Sequence, residues 1–130
     1  MKNKIDKRWG IVLLCYLAFL VIISILAYNR MIPSVIAKIP YYDSIGHFLL
    51  FGIATFITHR ALKRRIVHIF HLLIPLGPFI IVPLVIADEM IQKLSIYRTS
   101  SYSDFIADVC GIIFFYYLDE LLFRRKKHIN

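Results

Sequence analysis

Uncharged, mostly apolar residues run without a break from Trp9 to Tyr28, twenty positions that would make about 30 Å of helix, the thickness of a hydrocarbon core. Basic residues precede this run (Lys2, Lys4, Lys7, Arg8), as they do in a cleaved signal peptide. The run is longer than the ~7–15 residues of a signal core, and Ile25 and Ala27 make a poor small-x-small cleavage site. It therefore reads as a retained first helix, with Trp9 and Tyr28 as interfacial anchors. A second apolar run spans Ile45 to Leu62 and carries His47 and His59. A third spans Ile66 to Ala87, with Pro75, Gly77, Pro78 and Pro83 inside it, and a fourth spans Phe105 to Phe123 before Arg124-Arg125-Lys126-Lys127. This pattern predicts an all-α integral membrane four-helix bundle, one domain over residues 1–130, with helices at about 9–28, 45–62, 66–87 and 104–123. The prolines predict a kinked third helix, since each removes an N–H and disturbs the carbonyl four residues earlier.

Composition agrees with lipid as the solvent. The 130 residues are 59% hydrophobic, with a mean hydropathy of +0.70. Average soluble chains are roughly 45–50% apolar. A net charge of +8 and a pI near 9.7 would ordinarily suggest nucleic acid, but long uncharged runs separate the basic residues, so no nucleic-acid partner is expected. The charge is instead distributed by loop. With the N-terminus in the cytoplasm, twelve of the sixteen Lys and Arg residues lie inside: the four at the N-terminus, Arg60, Lys63, Arg64 and Arg65, and the four at 124–127. Arg30, Lys38, Lys93 and Arg98 lie outside, and this bias predicts cytoplasmic termini. Cys15 and Cys110 fall at different depths, roughly 12 Å apart along the membrane normal, too far for a disulfide.

The acidic residues are as unevenly placed. Asp6, Asp119 and Glu120 fall inside, whereas Asp43, Asp88, Glu89, Asp104 and Asp108 fall in outer loops or within about a turn of the outer surface. His47, Gln92 and Arg98 join them, with Thr99, Ser100, Ser101 and Ser103. Asp43 and His47 are i, i+4; so are Asp88 and Gln92; Asp104, Asp108 and Gly111 are i, i+4, i+7. Each set occupies one helical face. Ionisable groups at membrane depth cost at least ~2.5 kcal/mol near the centre, and they pair with one another or face a polar interior. Helix capping is an alternative for Asp43 and for Ser101-x-x-Asp104. Capping does not account for Asp88 and Glu89 at the end of the third predicted helix, nor for Asp108 a turn inside the fourth. A shared polar site is therefore expected from Asp43, His47, Asp88, Glu89, Gln92, Arg98, Asp104 and Asp108. Asp88, Glu89, Asp104 and Asp108 are its candidate ligands for a divalent cation such as Mg²⁺.

These motifs, in this order, resemble the VanZ-like family of small membrane proteins. The family pattern is Asp-Lys-x-x-His-Phe opening one helix, Asp-Glu-x-x-Gln closing another, an Arg, and then Asp-x-x-x-Asn-x-x-Gly. The chain carries Asp43-Ser44-Ile45-Gly46-His47-Phe48, Asp88-Glu89-Met90-Ile91-Gln92, Arg98, and Asp104 to Gly111. The resemblance extends from about Ile5 to Phe123. It departs at two positions, Ser44 for Lys and Asp108 for Asn, which together make the site more negative. It implies action at the outer face of the plasma membrane and lowered susceptibility to teicoplanin, a lipoglycopeptide.

Three function classes follow. The first is envelope binding or remodelling, with a lipid-linked precursor or the lipoglycopeptide as partner. The second is an enzyme on such a substrate, with His47 as general base oriented by Asp43 or Asp88 and Arg98 binding phosphate or carboxylate. The third is proton- or ion-coupled transport, for which a homo-oligomer would supply more helices. His68 and His71, i, i+3 at the start of the third predicted helix, permit shared metal binding or simple interfacial placement. The run from His59 to Arg65 either attracts anionic lipid or only sets topology.

Overall fold

The computed structural model describes residues 5–96 and 101–130; Arg98, Thr99 and Ser100 lie outside them. The described residues form five helices and one hairpin: α1 Lys7–Tyr28, α2 Ser34–Ala37, α3 Tyr42–Ala61, β1 Ile66–Ile69, β2 Leu72–Pro75, α4 Leu76–Leu94 and α5 Tyr102–Ile129. Three of the four expected helices are present, and the fold is mostly helical. Asp6 caps α1 by accepting from the backbone N–H groups of Arg8 and Trp9. Ser101 caps α5 through the Ser103 N–H.

The expected helix over 66–87 is corrected. Residues 66–75 form an antiparallel hairpin, with Ile66 opposite Pro75 and Ile69 opposite Leu72. Phe70 and His71 make its two-residue turn, both left-handed at φ 47° and 68°, the geometry that matches strand twist. β-Branched Ile66, Val67, Ile69 and Ile74 favour this extended form, and the Leu76 N–H closes its base on the Arg65 carbonyl. His68 and His71 thus lie on a strand and a turn, both exposed, not on one helical face. Pro75 is the N-cap of α4 and Pro78 stands in its first turn, where a missing N–H costs nothing. Pro83 is the one proline inside a described helix. Because α4 starts late it ends late, and Asp88 lies six residues before its last residue, Leu94.

Helices α3 and α5 run side by side and parallel, with α4 antiparallel between them in sequence. Glycines set how closely they approach. A Cβ on Gly111 would lie 2.3 Å from the Phe48 carbonyl oxygen, and one on Gly52 would lie 2.3 Å from the Phe115 ring. Gly77 similarly brings the start of α4 against the His59 backbone. Helix α1 lies outside this group, antiparallel to α3. Its Asp6 N–H bonds the Ala61 carbonyl, and the Tyr16 hydroxyl donates to the Leu50 carbonyl at 2.6 Å.

Burial runs opposite to the soluble pattern. The buried apolar residues are few: Ala54, Ile57, Ala61, Ile81, Val85 and Ile112. The buried polar ones are His47, Thr55, Thr58, His59, Gln92, Asp104, Asp108 and Asp119. Meanwhile Ile11, Leu14, Ile22, Ile106, Ile113 and Phe114 are more than half exposed. Helix α1 is long and apolar enough to cross a membrane, and none of that stretch is buried. It is the one such helix among the described residues. Cys15 and Cys110 are free, on exposed helix surfaces rather than in packing positions.

Candidate functional site

The parallel pairing of α3 and α5 places their N-terminal turns together, and the polar residues of both turns meet there. Ser44 donates to Asp104 Oδ1 at 2.7 Å and lies 3.0 Å from the Ser103 hydroxyl. One turn deeper, His47 Nδ1 lies 3.0 and 3.2 Å from the two Asp108 oxygens, with His47 and Asp108 both buried. With Nδ1 against Asp108, Nε2 points the other way. Nε2 is 3.9 Å from Asp43 Oδ1. Ligand atoms of Asp43, His47 and Asp104 all lie within 4.8 Å of one another.

Helix α4 brings the next group. Gln92 Nε2 donates to Asp88 Oδ2 at 2.6 Å, as the i, i+4 spacing requires. From the end of α1 the Tyr28 hydroxyl reaches Asp88 Oδ1 at 3.4 Å. Asp43, His47 and Asp88 line one cavity of about 620 Å³. Its remaining wall is largely apolar, from α1 (Leu20, Leu26), α3 (Leu50, Phe51) and α4 (Leu84).

The expected site residues are therefore distributed as follows. Asp43, His47, Asp104 and Asp108 form one contiguous group, and Asp88, held by the buried Gln92, lines the cavity with Asp43 and His47. Glu89 does not line the cavity, and its Oε2 is buried with no hydrogen-bond partner. Arg98 lies outside the described residues. The ring of His47 lies between Asp108 on Nδ1 and Asp43, 3.9 Å from Nε2. Among the described residues the group whose ligand atoms lie close enough to share an ion is Asp43, His47 and Asp104, of which Asp104 is one of the four expected ligands. The reason is the α3–α5 contact, which joins Asp104 to residues of α3 while Asp88 is engaged by Gln92 and Tyr28. The capping alternative holds for Ser101, which caps α5, while Asp104 three residues on is 3% exposed and accepts across to α3. Asp43 lies in the first turn of α3, whose N-cap, Tyr41, makes no side-chain cap hydrogen bond.

The two departures from the VanZ-like pattern fall on adjacent α3–α5 contacts, Ser44 with Asp104 and Asp108 with His47. Asp108 holds Nδ1 of His47 while Nε2 faces Asp43, the carboxylate–histidine arrangement found behind metal sites.

A second polar cluster, at the opposite end, was not anticipated as a unit. Asp119 is wholly buried and accepts from both Arg60 Nε at 2.5 Å and Arg64 Nη2 at 3.0 Å. His59 Nε2 lies 3.0 Å from Glu120. His59–Glu120 and His47–Asp108 are both 61 apart and Ser44–Asp104 is 60 apart, so one parallel α3–α5 register pairs both ends. No family model, curated protein or solved structure matches the chain.

Proposed function

We propose that the chain is a VanZ-like, multi-pass protein of the bacterial plasma membrane, a four-helix bundle with both termini cytoplasmic. Its outer end binds the polar head of an amphiphilic envelope component and so lowers susceptibility to teicoplanin-type lipoglycopeptides. The observation that carries this reading is the juxtaposition of Asp43, His47 and Asp88 with a largely apolar cavity. That combination suits a charged or hydroxyl-rich head on the carboxylates and an acyl or prenyl chain along α1, α3 and α4. The inverted burial supports lipid as the surrounding solvent. Helices α3, α4 and α5, at 20, 19 and 28 residues, are of spanning length, about 30 Å or more. His47, His59, Asp104, Asp108 and Asp119 are buried between the helices, which lowers the helices' average apolarity without exposing those groups to lipid, and Lys93 and Arg124 to Lys127 are exposed near helix ends.

The test is teicoplanin susceptibility in a heterologous host. Wild type is expected to protect, and Asp88→Ala, Arg98→Ala and Asp104→Ala each to lose protection with topology reporters unchanged. Protection retained in all three sinks the shared site. A well-expressed wild type that protects nothing removes the teicoplanin role.

One observation favours a second reading, a cation-dependent hydrolase or transferase on a lipid-linked substrate: the Asp43–His47–Asp104 grouping with Asp108 behind the ring. Purified protein is then expected to bind Mn²⁺ or Mg²⁺ saturably by calorimetry. Asp104→Ala should abolish binding, and Asp108→Ala should weaken it roughly 10–100-fold. Wild-type protein with no saturable binding rules this reading out.

A further inference from the structure

The end of the bundle opposite the candidate site holds a second cavity, of about 830 Å³, between the last turns of α3 and α5 and the start of α1. Five cations line it: Arg60, Lys63, Arg64, Lys126 and Lys127. Asp6 is the one acid on its wall, and its Oδ1 already accepts from the Arg8 and Trp9 N–H groups that open α1. Beneath the wall, Asp119 offers a single oxygen to both guanidiniums. One carboxylate cannot neutralise two arginines, so a positive excess stays at the cavity floor. Arg64 Nε is moreover buried with no acceptor. A buried donor without a partner is costly, and an anion oxygen would relieve it.

The other walls are aromatic. Trp9 and Phe123 line the cavity. The Arg60 guanidinium stacks 4.9 Å from the Trp9 ring and the Arg64 guanidinium 4.2 Å from the Phe123 ring. These rings hold both cations in place and give the cavity an apolar rim. A concentrated cationic floor with an apolar rim matches an amphiphilic anion, not a freely dissolved one.

We propose that this cavity is a binding site for the phosphate headgroup of an anionic phospholipid of the inner leaflet. Arg60 and Arg64 supply planar donors to the phosphate, and the three lysines supply the surrounding field. The site rests on the membrane reading above, but it is independent of what the outer end binds.

Trp9 is the sole tryptophan of the chain, so its fluorescence reports this cavity directly. Full-length protein is reconstituted in phosphatidylcholine vesicles containing a small fraction of either brominated phosphatidylglycerol or brominated phosphatidylcholine. The anionic quencher is expected to quench Trp9 at a mole fraction at least fivefold lower. Replacing Lys63, Lys126 and Lys127 together with Gln leaves the arginine pair on Asp119 intact. It should reduce the preference by roughly fivefold for each lysine removed, to the limit of no preference. The control removes the same charge from the same end outside the cavity, as Arg8→Gln, Arg124→Gln and Arg125→Gln, and should retain clearly more of the preference than the lysine variant.

Equal quenching by the two lipids in wild type overturns the site. So does a control variant that loses as much preference as the lysine variant, because the attraction would then belong to the whole basic surface. Relief of anionic quenching by excess inorganic phosphate assigns the cavity to a soluble anion and overturns the lipid. Failure of the chain to incorporate into any vesicle overturns the membrane reading and this site together, whereas incorporation without preference overturns the site alone.

Discussion

Gly111→Val is expected to separate α3 from α5 and take the outer site apart. The Cβ alone would sit 2.3 Å from the Phe48 carbonyl oxygen and 3.0 Å from its carbon. Those are backbone atoms of a helix, so no side-chain rotation relieves the clash. Restoring van der Waals contact requires the helices to part by roughly 1 Å. Ser44–Asp104 at 2.7 Å and His47–Asp108 at 3.0 Å lie within the two turns before Gly111, and both would stretch beyond hydrogen-bond range. The overpacking should destabilise by about 1–3 kcal/mol or more, read as a lower thermal midpoint in detergent. Protection or cation binding should be lost with it. Gly46→Ala is the matched control. Nothing lies within 4 Å of its new Cβ, so stability should hold or rise by up to ~1 kcal/mol. Equal behaviour of the two variants would mean that the α3–α5 approach is not what assembles the site.

Asp119→Ala is expected to cost still more, at the other end. It leaves two guanidiniums side by side with no counter-charge, in a region where the lost carboxylate was fully buried. Breaking a buried pair costs about 3–5 kcal/mol. Arg60 and Arg64 keep 23% exposure, so water and their aromatic neighbours moderate this to about 2–4 kcal/mol. Asp119→Asn retains an acceptor and should lose less. A second change, Arg64→Leu in the Asp119→Ala background, removes one of the opposed cations and should restore part of the loss. A midpoint unchanged by Asp119→Ala would show that the cluster contributes nothing to stability.

The positions of α1, α3 and α5 were legible because long uncharged runs admit few other structures. The third run reads as a helix over its whole length because residues 66–75 are mostly apolar, while their β-branched Ile66, Val67, Ile69 and Ile74 suit a strand as well as a buried helix. Only the left-handed Phe70-His71 turn chooses between them, and neither residue announces such a turn as Asn-Gly would. The gathering of Asp43, His47, Asp88, Gln92, Asp104 and Asp108 at one end was legible too, since helix-face spacing and charge segregation both point there. Which of them touch was not. Two carboxylates of α5, Asp104 and Asp108, share a face at i, i+4 yet bind different partners, Ser44 and His47.

By itself, then, the sequence determined where the charges could go. Apolar runs have a length, basic residues cluster between them, and acids recur at helical spacing, all of which are local properties of the chain. The tertiary structure decided the rest through one long-range fact, the parallel contact of α3 and α5 about Gly52 and Gly111. That contact pairs residues some sixty positions apart, at 60 for Ser44–Asp104, 61 for His47–Asp108 and 59 for Arg60–Asp119. No helical period reaches so far. Side chains this distant meet only because two glycines leave room for their helices to touch.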